Sequence, residues 1–241
     1  MKAVLLALRG DLNDPEKMDK LAMESNVRFA VLENESDILE NAESYHAVIP
    51  KPVESYISIV LDVSKSVIGD ESDGTPPSVD LSALIGSLRT LVASMKPDAG
   101  EPRVAVAIYV FGRDVAPYVP FTEDFADLDQ KLAAIEKDHS FLPDSIGIYG
   151  SDLYKAVSIG LNATQRIRDL RAAVSWDGIL STGTVVAITD GNDQSGGQLT
   201  DLTKQINNSL NQVISTGISD DVDDDILNAI GQDGSYLAPT P

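Results

Sequence analysis

From Tyr56 onward the chain alternates between two hydrophobic rhythms. Residues 56–61 (YISIVL), 104–111 (VAVAIYVF) and 185–189 (VVAIT) are short, unbroken apolar runs rich in β-branched side chains. That is the pattern of strands buried on both faces. Between them, apolar residues recur three and four positions apart. Residues 78–95 carry Val79, Leu81, Leu84, Ile85, Leu88, Leu91 and Val92, and Pro97 follows, which predicts an amphipathic helix with a proline stop. Residues 151–174, with Leu153, Ala156, Val157, Leu161 and Ile167 along one face, predict a longer one. Residues 125–135, 199–210 and 223–230 predict three more helices, and 213–217 and 235–238 two short strands. Residues 115–119 read as an edge strand, because Pro117 has no N–H to give to a ladder. Buried strands alternating with helices predict an α/β fold: a doubly wound, mostly parallel, Rossmann-like sheet with helices on both faces and right-handed crossovers.

The first 54 residues do not share this rhythm. Two β-prone runs, 4–8 and 27–32, are separated by polar residues 11–20 and followed by the Asn-, Glu- and Ser-rich stretch 33–44, with Lys51-Pro52 as punctuation. The expected organisation is a small β-rich N-terminal appendage (1–54) and one α/β domain (55–241). The opening run stops at Arg9-Gly10-Asp11, short for a signal-peptide core and without a small-residue cleavage site, so it reads as a strand. No stretch approaches the roughly 18 apolar residues that span a bilayer, and no membrane insertion is expected of this chain.

Charge narrows the partners. With 18 Lys+Arg against 38 Asp+Glu, the formal charge is −20. Nucleic acid is therefore not an expected partner, since its binding needs basic surface to displace counterions, and anionic lipid is excluded on the same ground. The sequence has no cysteine and only two histidines, His46 and His139. Thiolate sites are excluded and a multi-histidine zinc site nearly so, leaving a hard cation held by oxygens as the expected metal.

Ligands of open α/β sheets bind at the carboxyl ends of the strands. The first buried strand runs into Asp62-Val63-Ser64-Lys65-Ser66 and the third into Thr189-Asp190-Gly191. The long helix opens with Gly150-Ser151-Asp152-Leu153, which puts Ser151 at the N-cap position. Taken singly, Ser151 reads as a plain helix cap and Asp190-Gly191 as a turn. Together, at these strand ends, they bring two carboxylates and three hydroxyls to one edge of the sheet.

This ordered set resembles the von Willebrand factor type A (vWA) domain, whose metal-ion-dependent adhesion site (MIDAS) has the form DxSxS, Thr, Asp. Gly150-Ser151-Asp152-Leu153-Tyr154 is similar to the family's Gly-Thr-x-Leu-Tyr helix start. The stretch 218–238, with Asp223, Leu227, Gly231, Gly234 and Tyr236, is similar to its last helix and strand. The resemblance covers residues 56–238. It departs from the family where Ser151 replaces the usual Thr, keeping the hydroxyl, and where the chain ends soon after the last strand, so that a closing helix is expected to be missing or to lie in a longer parent. Residues 29–34 and 43–44 resemble the short β region before the A domain in bacterial surface proteins. The resemblance implies Mg²⁺ (or Mn²⁺ or Ca²⁺) bound directly by Ser64, Ser66 and Ser151, with Asp62 and Asp190 acting through water or alternating as ligands. It further implies a protein partner offering an Asp or Glu to the metal, adhesion or assembly without catalysis, and an extracellular, cell-surface or periplasmic setting.

Two other readings stay open. A haloacid-dehalogenase-like, Mg²⁺-dependent phosphatase also begins with a strand and an Asp, but its second Asp would fall at Ser64. An intracellular vWA scaffold working with an ATPase would carry the same residues. No Walker loop, GxGxxG or GxSxG motif is present. The remaining features take bland readings. His46 and His139 are solvated, Trp176 is a packing anchor, and 220–225 (DDVDDD) is a solvated helix start. Asp70, Glu71 and Asp73, close behind the DxSxS, either tune metal access or form an ordinary solvated loop, and the loop is the preferred reading.

Overall fold

The computed structural model describes residues 4–8, 28–32, 53–70, 74–77, 79–137, 146–174, 180–191, 193, 198–219 and 222–238. The expectations for 9–11, His46, Glu71, Asp73, His139 and Trp176 lie outside these residues. The chain divides into two compact units, 1–51 and 52–241. In the first, β1 (Val4–Leu8) and β2 (Arg28–Leu32) pair in parallel, with Val4 opposite Arg28 and Leu8 opposite Leu32.

The second unit holds β3 (Val53–Asp62), α1 (Lys65–Ile68), α2 (Leu81–Ser94), β4 (Val104–Phe111), β5 (Val115–Thr122), α3 (Phe125–Lys137), α4 (Leu153–Val174), β6 (Leu180–Thr189), α5 (Leu199–Asn207), β7 (Gln212–Gly217), α6 (Asp224–Ile230) and β8 (Gly234–Leu237). Its six strands run in the order β5-β4-β3-β6-β7-β8. Every neighbouring pair is parallel except β4–β5, which is an antiparallel hairpin. The fold is thus the expected one, with β5 at the edge and Pro117 opposite Tyr109 in a ladder broken by register shifts.

Strand alternation sorts the core onto the two faces of the sheet. Ile59 and Leu61 of β3, Val106, Ile108 and Val110 of β4, and Val186 and Ile188 of β6 pack with Ile85, Leu88 and Val92 of α2 and Leu128, Leu132 and Ile135 of α3. On the opposite face Val60, Phe111, Val185 and Ala187 pack with Leu153, Ala156, Val157 and Leu161 of α4 and with Leu202 and Ile206 of α5.

Element ends differ from the sequence pattern for local reasons. β3 starts at Val53, which pairs with Leu180 of β6, because the polar residues that follow, Glu54 and Ser55, still pair with Ser181 and Thr182, and a backbone ladder needs no apolar side chains. α2 starts at Leu81, where Asp80 caps it by accepting the Ala83 N–H at 3.0 Å. The acidic run does open a helix: Asp223 accepts the amides of Asp225 and Ile226 at the start of α6. The one-turn α1 was not expected from the sequence.

The seating of α4 on the sheet places the site. At Gly160 the helix comes so close that a Cβ would stand 2.9 Å from Val60 Cγ2 and 3.2 Å from Val185 Cγ1. One turn on, the buried hydroxyls of Thr164 and Ser58 hydrogen-bond at 2.8 Å. Near its end Arg171 grips the buried Glu54 carboxylate with two bonds of 2.7 Å. These fasteners hold α4 over β3 and β6 and bring its N-terminus to the carboxyl end of the sheet. There the chain leaves β3 toward β4 and leaves β6 toward β7, in opposite directions. That divergence makes the β3/β6 junction the topological switch point, where open α/β sheets form their binding crevice.

Candidate metal centre

Asp62 is the last residue of β3 and wholly buried. Alternation turns it, with Ser58 and Val60, toward the α4 face. Leu61 pairs with Ile188, so Thr189 stands beside Asp62 on the same face. The carboxylate is engaged on both oxygens. Oδ1 accepts the Ser64 N–H at 2.9 Å, and Oδ2 accepts the Thr189 hydroxyl at 2.8 Å and, more loosely, the Ser151 hydroxyl at 3.4 Å. Burial, aided by the neighbouring Asp190 charge, pushes the Asp62 carboxyl up to about 6, against the hydrogen bonds from Ser64 and Thr189 that favour the ionised form. Asp190 follows β6 directly and is itself buried, with its carbonyl accepting the Ser219 hydroxyl.

Both buried serines stand at helix starts, yet neither does the work a serine usually does there. Ser64 is the N-cap residue of α1 but makes no side-chain cap bond, and its Oγ lies 3.1 Å from that of Ser66. Ser151 does not occupy the N-cap position expected from the sequence. The helix begins at Leu153, one residue later than a Ser151 cap requires, and the Ser151 hydroxyl points to Asp62 instead. The physical reason is a substitute acceptor: Asp193, from the loop after β6, takes the Tyr154 N–H of the first turn at 3.1 Å.

All five residues singled out in the sequence therefore meet at the switch point. Asp62, Ser64, Ser151 and Asp190 are buried and Ser66 is exposed, so the cluster opens outward at Ser66. The donor set is all oxygen: three serine hydroxyls and two carboxylates, with Thr189 behind Asp62. Among the described residues no group of three or more Asp, Glu or His side chains could hold a metal. An all-oxygen set poor in charge suits Mg²⁺, Mn²⁺ or Ca²⁺, which take neutral oxygens and water beside carboxylates.

Sequence reasoning passed over two participants, Thr189 and Tyr149, and preferred the wrong reading for a third, Asp70. Thr189 was visible in principle, since its position in the alternation of β6 matches that of Asp62 in β3. Asp70 is a correction. It is not a solvated loop charge but is buried, accepts the Tyr149 hydroxyl at 2.7 Å and lies 3.4 Å from Lys65 Nζ. Tyr149 carried no signal in the sequence.

Comparison with known proteins agrees with this fold. The model of the von Willebrand factor type A domain matches residues 57–239. No curated protein matches the chain. Among solved structures, the TFIIH p34 N-terminal domain is similar at 14% identity, covering 78% of this chain and 91% of that one, with a TM-score of 0.58. A von Willebrand factor type A structure from Catenulispora acidiphila is 13% identical over 78% of this chain and 39% of its own, with a TM-score of 0.57. The conserved hypothetical protein BatB from Bacteroides thetaiotaomicron is 18% identical over 78% and 91%, with a TM-score of 0.54.

Proposed function

The chain belongs to the von Willebrand factor type A family, and from that premise we propose that it is a divalent-cation-dependent protein-binding module acting in adhesion or assembly. Domains of this family are in general interaction modules rather than enzymes. The observation that carries the reading is the state of the two buried serines. Ser64 and Ser151 stand at helix starts without capping; the Ser64 hydroxyl meets that of Ser66, and the Ser151 hydroxyl turns to Asp62. Oxygens withheld from helix caps and gathered beside two buried carboxylates are what a hard cation requires.

Ser64, Ser66 and Ser151 would hold the ion directly, with Asp62 and Asp190 bound through water or alternating as ligands. When bound, the ion supplies an electrophilic position for a carboxylate. The chain's own residues do the rest. Thr189 and the Ser64 amide orient Asp62, and burial of Asp190 keeps the second carboxylate beside it. The partner is a protein presenting an Asp or Glu. Because the chain carries −20, that carboxylate comes from a neutral or basic surface, and added salt weakens binding by screening the attraction. The proposed setting is the cell surface, periplasm or extracellular space. This rests on the likeness of the N-terminal stretch to bacterial surface proteins, and no helix among the described residues is long and apolar enough to cross a membrane.

Isothermal titration with Mg²⁺ or Mn²⁺ tests the reading. One site is expected in the whole chain, lost in Asp62→Ala and in Asp190→Ala. Partner capture that survives a chelator, or hydrolysis of a phosphate ester that depends on Asp62, would overturn it.

A further inference from the structure

The Ser151 hydroxyl stands 3.4 Å from Asp62, beyond the roughly 2.5–3.0 Å of a good O–H···O bond. That contact is too weak to set where Ser151 sits, so its loop must be seated by neighbours. Backbone bonds hold one side. The N–H groups of Arg113 and Asp114, in the β4–β5 turn, donate to the carbonyls of Gly147 (2.7 Å) and Ile146 (2.8 Å), and the Asp152 N–H donates to the Gly112 carbonyl (2.8 Å).

The other side faces the DxSxS segment. The Lys65 N–H donates to the Ile148 carbonyl at 2.7 Å. The Tyr149 hydroxyl donates to Asp70 Oδ2 at 2.7 Å, and Lys65 Nζ lies 3.4 Å from the same oxygen and 5.1 Å from the centre of the Tyr149 ring. Asp70 is a firm anchor. It is buried, and its backbone N–H and C=O both pair with Thr75, at 2.9 and 3.0 Å. Tyr149, by contrast, is 63% exposed, so core packing does not account for its placement. Between Tyr149 and Ser151 lies only Gly150, at φ +127°, a conformation that fits glycine and few other residues. A shift of Tyr149 therefore passes to Ser151 through a single residue.

We infer that Tyr149 and Asp70 form a latch that seats the Ser151 loop over the cation position, which makes both of them positioning residues of the site. The inference rests on the metal-binding reading. Lys65, lying between Ser64 and Ser66, joins the same latch, so one cluster aligns all three serines. Partners just outside the ligands of a metal site set ligand orientation, and their removal costs about 10–100-fold in affinity.

The test is isothermal titration of the whole chain with Mg²⁺, and with Mn²⁺ as a second probe. Tyr149→Phe deletes only the hydroxyl and keeps the ring over Lys65. Asp70→Asn keeps an acceptor for Tyr149, and Asp70→Ala removes it. Cation affinity should fall about tenfold in Tyr149→Phe and Asp70→Ala and be largely kept in Asp70→Asn. The melting temperature of Tyr149→Phe in chelator should fall by only a few degrees, because the buried Asp70 loses one donor but keeps Lys65 beside it, so the variant stays folded at the titration temperature. If Asp70→Ala fails to fold, Tyr149→Phe and Asp70→Asn decide. Full affinity in Tyr149→Phe, or a tenfold loss in Asp70→Asn, overturns the latch while leaving the metal site standing. A wild-type chain that binds neither cation overturns the metal-binding reading itself.

Discussion

Replacing Asp62 by Asn should stabilise the metal-free protein. The Asp62 carboxyl has no exposure and stands beside the Asp190 charge, which together push it from its ordinary 3.8 up to about 6. At about 1.4 kcal/mol per tenfold change in proton affinity, that gap represents about 3 kcal/mol against the folded state once Asp62 is ionised. The sign follows from proton counting. Between pH 4 and 6 the folded chain holds a proton at Asp62 that the unfolded chain has released, so stability falls as pH rises through this window and the loss is complete above about 6. Asn carries no charge and keeps the acceptor for the Ser64 N–H. Its amide N–H₂ can donate to Ser151 and Thr189, whose own hydroxyl has a second acceptor in the Gly191 carbonyl at 3.2 Å. The expected gain for Asp62→Asn is about 2–3 kcal/mol at pH 8 in chelator, shrinking toward zero at pH 4. With urea slopes of about 1–3 kcal/mol/M, the pH 8 gain moves the unfolding midpoint by about 1 M or more. Fluorescence of Trp176, the only tryptophan, gives a probe within the larger unit. A variant no more stable than the wild type at pH 8, or a gain of the same size at pH 4, would refute the argument from burial and like charge.

Two further substitutions test how α4 is held over the sheet. Thr164→Val keeps the shape of the side chain but leaves the buried Ser58 hydroxyl without its 2.8 Å partner. It should cost about 1–3 kcal/mol, and adding Ser58→Ala should restore most of that loss; equilibrium unfolding of the two singles and the double measures the coupling, and simple additivity would contradict it. Glu54 has the opposite pH sign to Asp62. The Arg171 guanidinium bound to it, with help from the Tyr56 hydroxyl, holds its carboxyl below the ordinary 4.5 despite partial desolvation. Its stabilisation is therefore present above pH 4.5 and lost as pH falls through the lowered value. Glu54→Gln should flatten that acid limb in urea midpoints measured from pH 6 down to 3.

The sequence alone settled what depends on near neighbours along the chain. Period-two and period-3.6 patterns report which side of each element is buried, so the alternation of strands and helices, the edge position of β5 and the two-faced core followed from them. The ordered set Asp62, Ser64, Ser66, Ser151 and Asp190 was legible because ligands of open α/β sheets gather at strand ends, wherever the strands come to lie. Tertiary structure decided what depends on contacts across the chain. Only the strand order sets β6 against β3 and so places Thr189 beside Asp62, 127 positions away in sequence. Only the fold supplies Asp193 as the acceptor for the first turn of α4, which turns Ser151 from a helix cap into part of the site. The same holds for Asp70, which reads as a solvated charge until Tyr149 and Lys65 arrive from either side of the cluster. Periodicity records how much of a side chain is covered. It cannot say which polar atom does the covering, because a hydrogen bond is chosen by distance in space and not by separation in sequence.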